Sequence, residues 1–244
     1  MNTLLLDSML TNDKPDDLGL DQVDVVYNKL WEDTDEHGVP KAHVLEEVCS
    51  RNPLSPKVLN IEKWPGYWKK DNPRELQRGR DLLTRVLHRA HMVVPGVRLG
   101  IYGMLADYGS ELLDWRIADV QAYIQSLETS SNAIAGELDL RGPIDRADFL
   151  VQSCYVRWEP DSPKEAARRV EVILEFLRRN YNKEVFAFVW PMVHGNKRLV
   201  PEDTWDAILH ECNRLADAVV LWSGPEPSWD KIKPHIDRAK EIIG

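Results

Sequence analysis

The residues best suited to chemistry lie in one short stretch, 57–68, which reads KVLNIEKWPGYW. An apolar run ends there on a single carboxylate, Glu62, and the aromatic residues Trp64, Tyr67 and Trp68 follow at once. Aromatic rings stack on the apolar faces of sugar rings, and carboxylates address the polar edges of a sugar. The stretch therefore predicts either the mouth of a carbohydrate site or the plain end of a strand at the protein surface.

Polar and aromatic side chains also end the other apolar runs of the chain. The residues at or near these ends are Asp7, Asn28, Glu62, Tyr102, Tyr155, Trp190 and Trp222. In a β/α barrel the chemistry is built from residues at the carboxyl ends of the strands. An acidic site lined by tyrosine and tryptophan suits carbohydrate binding. The alternative is that large aromatic residues simply seal the end of a barrel.

The elements that must position these residues are predicted from seven short apolar runs. The runs are 3–9, 23–28, 57–62, 98–103, 148–155, 185–192 and 218–224. Their length and their β-branched or aromatic content favour strands. Between them lie helical patterns that start at Pro73, at the capping box Ser162–Glu165, at Pro201 and at Ser228, and two more around 39–51 and 111–128.

Strands that alternate with helices predict βαβ units and a parallel sheet. A doubly wound sheet and a closed barrel both satisfy this pattern, but the chain has no GxGxxG and no GxxxxGK[ST] to support a nucleotide site. We predict one α/β domain over 1–244. Residues 129–147, rich in Ser, Asn, Gly and Asp, are predicted to form a long loop.

Composition excludes several classes of protein. The net charge of -9 argues against a nucleic-acid partner, which needs clustered Lys and Arg. No segment approaches the roughly 20 apolar residues that cross a membrane, and the N-terminus lacks the features of a signal peptide. Three widely spaced cysteines indicate reduced packing thiols. A cytoplasmic or virion-associated location is therefore expected rather than secretion.

No cofactor or metal site is predicted. His88 and His91 share a helix face at a spacing of three residues, but no third ligand is near them in the sequence. We interpret both as surface histidines.

Four short motifs together resemble the hyaluronidases, family 56 of the glycoside hydrolases. They are VLNIEKW (58–64), GIYG (100–103), QSCY (152–155) and VVLWSG (219–224), and the resemblance extends nearly from end to end. The resemblance implies a distorted TIM-type (β/α)7 barrel, which agrees with the count of seven strands.

The resemblance also implies roles for particular residues. Glu62 takes the position of the proton donor, and Asn60 takes the position of an aspartate that orients the acetamido group of the substrate. Residues two apart in a strand face the same side, so these two side chains would enter the site together. Tyr102 and Tyr155 would surround the reacting centre, with Trp222, Trp64, Trp190 and Asp107 on the substrate-binding side.

Asn60 departs from the family pattern because it carries no negative charge. Three hypotheses stay open: an enzyme that takes a second carboxylate from Asp107 or Asp7, a weak enzyme, or a protein that keeps the fold without the chemistry. The enzyme hypothesis predicts an N-acetylhexosamine-containing glycan as substrate. The rival is a carbohydrate-binding or structural component of an oligomer or larger assembly, such as a virion.

Overall fold

The computed structural model describes residues 3–60, 73–102, 142–156 and 162–244. Its strands are β1 Leu4–Met9, β2 Asp21–Gln22, β3 Asp24–Val26, β4 Lys57–Asn60, β5 Leu99–Tyr102, β6 Phe149–Ser153, β7 Glu184–Val189 and β8 Ala218–Ser223. The helices in these ranges are α1 Ala42–Ser50, α2 Pro73–Val93, α3 Pro143–Arg146, α4 Pro163–Asn180, α5 Glu202–Leu215 and α6 Trp229–Ile243, with a 3₁₀ turn at Asn28–Trp31. None of the described helices is both long enough and apolar enough to cross a membrane.

Each of the seven predicted runs contains a strand, and within the described ranges the five other predicted helices follow these strands in the predicted order. The two-residue strand β2 was not predicted; it pairs with β1, and the ladder continues where the amide of Val23 donates to the carbonyl of Asp7 at 2.9 Å. The predicted loop 129–147 is wrong at its end, because Pro143 and Asp145 in the first turn support the short helix α3. The helix expected at 111–128 lies outside the described residues.

The chain divides into two compact units. Of the described residues, the first unit comprises 3–23, 151–156 and 162–244, and the second comprises 24–60, 73–102 and 142–150. The strand order is β2-β1-β8-β7-β6 in one sheet and β3-β4-β5 in the other. The pairs β1–β2, β1–β8, β7–β8, β3–β4 and β4–β5 are all parallel, as predicted.

The first unit has its core under the central strands of its sheet. Residues Ala218–Leu221 of β8 are completely buried, and five of the six residues of β7 are buried. Parallel strands that are covered on both faces are expected to be almost continuously apolar, and these two are. Helices α4, α5 and α6 add buried side chains at helical spacing, including Leu174, Leu209 and Ile236.

The second unit buries every residue of β4 and β5. Lys57, the first residue of β4, is 0% exposed, and its ammonium group bonds Asp24 and the carbonyls of Arg51 and Asn52 that follow α1. A buried ammonium needs such partners because burying an unpaired charge is very costly. Lys57 therefore ties the end of α1 to the start of two strands.

Candidate functional site

Three of the predicted site residues meet in the first unit, near the carboxyl ends of β6, β7 and β8. We call Tyr155, Trp190 and Trp222 the aromatic cluster. The rings of Tyr155 and Trp222 stack with centroids 5.7 Å apart and planes 26° apart. Trp190 meets both rings edge-on, with centroids 5.9 Å from Tyr155 and 5.0 Å from Trp222. Such geometries are the favoured ones for aromatic pairs.

The parallel register explains why these rings meet. Val189 is the partner of Leu221 in the β7–β8 ladder, so the next residues, Trp190 and Trp222, leave neighbouring strands at the same level. The segment after β6 is fixed to β7 because the amide of Cys154 donates to the carbonyl of Phe188 at 2.8 Å. Tyr155 is thereby held beside the two tryptophans.

Trp190 is the buried member of the cluster. Its side chain is 4% exposed, and its indole Nε1 has no hydrogen-bond partner among the described residues. The ammonium of Lys197 lies 4.2 Å from the centroid of the Trp190 ring, and burial lowers the pKa of that lysine. His194 contacts the same ring edge-on at 5.7 Å. Tyr155 and Trp222 are half-buried.

Lys197 was not predicted as a site residue. The sequence shows it only as one polar residue of the segment HGNKR, which follows β7. Its position over Trp190 depends on a backbone turn in which Lys197 has a φ of 58°. The residues His194, Gly195 and Asn196 favour a turn after β7, but they do not indicate that the turn places Lys197 over Trp190.

Asp7 is buried in the first unit and is held by three donors. Its Oδ1 accepts from the amide of Met9 at 2.9 Å, and its Oδ2 accepts from Lys14 at 2.6 Å and from Gln22 at 2.9 Å. The residue is 1% exposed. Because both oxygens are engaged, the arrangement favours a structural role for Asp7 over that of a second catalytic carboxylate.

Two further predicted residues lie side by side in the second unit. Asn60 and Tyr102 are register partners at the last positions of β4 and β5, and they are 8% and 6% exposed. The indole Nε1 of Trp31 donates to the backbone carbonyl of Asn60 at 3.1 Å. Trp31, in the 3₁₀ turn after β3, was not identified from the sequence, although it follows the second apolar run closely.

Other predicted residues lie elsewhere or outside the described ranges. Glu62, Trp64 and Asp107 lie outside the described residues. His88 contacts Arg146 at 3.3 Å, and His91 contacts Asp148 at 3.1 Å. No group of three or more His, Cys, Asp or Glu side chains within the described ranges could hold a metal ion.

Comparison with solved structures shows the fold. No family model matches the chain, and no curated protein matches it. The crystal structure of bee venom hyaluronidase matches with a TM-score of 0.58 and 16% identity, covering 98% of this chain and 96% of that chain. The match confirms the predicted fold class, an α/β chain of the distorted (β/α)7 barrel type. The chain is thus similar in fold to a hyaluronidase.

Proposed function

We propose that this chain is a glycoside-hydrolase-like protein that acts on or binds an N-acetylhexosamine-containing glycan, with Glu62 as the general acid/base. The observation that carries the proposal is the aromatic cluster at the carboxyl ends of β6, β7 and β8. Barrel enzymes build their sites at this end of the strands. Ring surfaces at that position can stack on the apolar face of a sugar.

In the proposed reaction Glu62 protonates the glycosidic oxygen as its bond to the anomeric carbon breaks. The acetamido oxygen of the substrate forms a bond to the same carbon, in the substrate-assisted variant of glycoside hydrolysis. Water then attacks that carbon and gives a proton to Glu62, and the bond to the acetamido oxygen breaks. Asn60 and Tyr102, which lie side by side, would orient the acetamido group.

A second candidate function is glycan binding without catalysis, and it rests on the charges at Asn60 and Asp7. The amide of Asn60 can hydrogen-bond the acetamido group but cannot offset the positive charge that develops on it. Asp7 cannot supply that charge, because its carboxylate is already engaged by Lys14 and Gln22. Asp107, the other carboxylate considered for this role, lies outside the described residues.

The test of the catalytic proposal is Glu62→Gln, assayed by reducing-end release from N-acetylhexosamine-containing polymers. General acid catalysis typically raises a rate about 10²–10⁴-fold, so the rate of hydrolysis should fall by that factor in Glu62→Gln. Glu46→Gln is a matched control because Glu46 is exposed on α1. If the two variants and the original chain hydrolyse equally, Glu62 is not the donor.

The test of glycan binding is Trp222→Ala, measured with the same polymers by isothermal titration calorimetry. Loss of a stacking surface should weaken binding whether or not the protein is an enzyme. Retained binding without product in the original chain would favour the non-catalytic function. Unchanged binding in Trp222→Ala would contradict the role of the aromatic cluster in both.

A further inference from the structure

The backbone that carries Trp222 is held mainly from one side of its sheet. The β7–β8 ladder ends at the pair Val189 and Leu221, one residue before Trp222. On the other side β1 stays in register with β8 as far as the pair Met9 and Ser223, one residue beyond Trp222. The orientation of Trp222 therefore depends on how the end of β8 is joined to β1 and to the residues that follow it.

Two hydroxyl groups lie at this junction, and we call Thr11 and Ser223 the hydroxyl pair. Their side-chain oxygens are in hydrogen-bond contact, and the residues are 6% and 0% exposed. The amide of Leu10 donates to the carbonyl of Ser223 at 3.0 Å, and the amide of Asn12 donates to the carbonyl of Pro225 at 3.4 Å. The side-chain bond thus joins the segments after β1 and β8 between two backbone bonds.

Each hydroxyl of the pair depends on the other, because both are shielded from water. Removing one partner of a buried hydrogen bond leaves the other unsatisfied, and this costs more than the net value of the bond itself. A methyl group in place of either hydroxyl cannot bond across the junction. The bond therefore resists rotation of the end of β8 relative to β1.

Ser223 can act on Trp222 through the backbone only. Successive side chains of a strand point to opposite faces of the sheet, so the hydroxyl of Ser223 lies on the face opposite the indole ring. That ring stacks with Tyr155 at a centroid distance of 5.7 Å and meets Trp190 edge-on at 5.0 Å. A rotation of the end of β8 would alter both contacts.

We propose that Thr11 and Ser223 are positioning residues of the aromatic cluster: their hydrogen bond fixes the end of β8 and keeps the ring of Trp222 oriented for stacking on a sugar ring. The role in sugar binding rests on the proposed function, whereas the fixed orientation of Trp222 is a property of the chain without ligand. A ring that is already oriented loses less conformational freedom on binding, so the bond strengthens glycan binding.

The first measurement follows the indole N–H signal of Trp222 by ¹H–¹⁵N NMR of the full chain without ligand. The signal is assigned by its loss in Trp222→Phe. Thr11→Val removes the hydroxyl at nearly constant volume, so it should shift this signal and lower its order parameter. Thr11→Ser keeps the hydroxyl and should leave the signal close to that of the original chain. Ser223→Ala repeats the test from the other side of the bond, and it decides the matter if Thr11→Val does not fold.

The matched control is Thr3→Val, at the opposite end of β1. Thr3 is 8% exposed, and its hydroxyl donates to the carbonyl of Asn213 at 2.7 Å. The control also removes a buried hydroxyl bond from the same unit, so it should lower stability as Thr11→Val does. It should leave the signal of Trp222 unchanged, because it does not touch the end of β8.

The second measurement is the affinity for N-acetylhexosamine-containing polymers by isothermal titration calorimetry. Thr11→Val and Ser223→Ala should each weaken binding about three- to tenfold, the equivalent of one net hydrogen bond. Because they break the same bond, the double variant should weaken binding no more than about the larger single loss. Thr3→Val should change the affinity less than about twofold, since distant sites act independently.

Several results would overturn the proposal. They are an unchanged Trp222 signal in Thr11→Val and Ser223→Ala, an equal change of that signal in Thr3→Val, and unchanged affinity in both variants of the hydroxyl pair when the original chain binds glycan. If the original chain binds none of these polymers, the glycan proposal fails by itself. The NMR signals then decide alone whether the hydroxyl pair positions Trp222.

Discussion

Asn60 and Tyr102 lie opposite each other as the last residues of two neighbouring parallel strands, β4 and β5. Both are less than a tenth exposed, and the strand end at Asn60 is held by the hydrogen bond from Trp31 to its carbonyl. The backbone ladder, rather than a loop, therefore sets the spacing of these two side chains. A site built on strands is more precisely positioned than one built on loops.

Gly100 is required by the packing beneath Tyr102. A methyl group added at Gly100 would come within 2.4 Å of Cε2 of Phe149, and the aromatic ring cannot fold aside as a flexible chain would. We expect Gly100→Ala to lower the free energy of unfolding by about 1–3 kcal/mol through overpacking. Gly224→Ala is the control, because the nearest atom there lies at 3.8 Å. Urea denaturation of both variants checks this, and equal midpoints would contradict it.

Asp7 should matter for stability. Asp7→Ala removes the acceptor of Lys14, Gln22 and the amide of Met9. Breaking a fully buried ion pair costs roughly 3–5 kcal/mol; because Lys14 is 17% exposed, we expect about 2–3 kcal/mol. The exposed Asp16→Ala should change stability by less than about 0.5 kcal/mol. Thermal unfolding measures both, and a neutral Asp7→Ala would argue against the structural role.

The two serine N-caps of the first unit should differ in their contribution. The Ser162 side chain accepts from the amide of Glu165 in a complete capping box, whereas Ser228 occupies the N-cap of α6 without a side-chain bond. Ser162→Ala should therefore lower the unfolding free energy by about 1 kcal/mol. Ser228→Ala should leave it nearly unchanged. Equal losses in urea denaturation would show that the side-chain bond at Ser162 contributes nothing.

The effect at Ser162 should also depend on pH. Hydrogen bonds from the backbone and side chain of Ser162 lower the pKa of Glu165 below its ordinary value. A group with a lowered pKa in the folded state stabilises the fold above its unfolded pKa and loses that contribution as the pH falls through the folded pKa. The difference in the free energy of unfolding between Ser162→Ala and the original chain should thus become smaller at acid pH. Urea denaturation at several pH values measures this difference in unfolding free energy, and a difference that stays constant from neutral to acid pH would contradict the prediction.

The sequence predicts the fold well because its signals are local. Strand runs, the capping box at Ser162 and the alternation of elements all depend on residues close in the chain. The meeting of Trp190 and Trp222 was also predictable, since parallel strands bring their carboxyl ends together. The contacts of Asp7 with Lys14 and Gln22, and the position of Lys197 over Trp190, were not predictable. They depend on loop conformations and side-chain orientations that only the folded backbone determines.

The last prediction concerns the charge at position 60. Asn60→Asp supplies the negative charge that could offset the developing charge on the acetamido group, at nearly constant volume. We expect it to create or increase hydrolysis of N-acetylhexosamine-containing polymers. Since Asn60 is 8% exposed, burial of the new carboxylate should also cost about 1–3 kcal/mol of stability. Product release and thermal unfolding, measured on the same preparation, check the two effects.

The control for Asn60→Asp is the double variant Asn60→Asp, Glu62→Gln. If the new charge acts with Glu62, the gain in hydrolysis should disappear in the double variant while the loss of stability remains. A gain that persists would show that another group donates the proton. A folded Asn60→Asp variant that binds the glycan and releases no product would exclude the catalytic proposal, because the charge would then be restored without restoring chemistry. Glycan binding without catalysis would be the function left to this site.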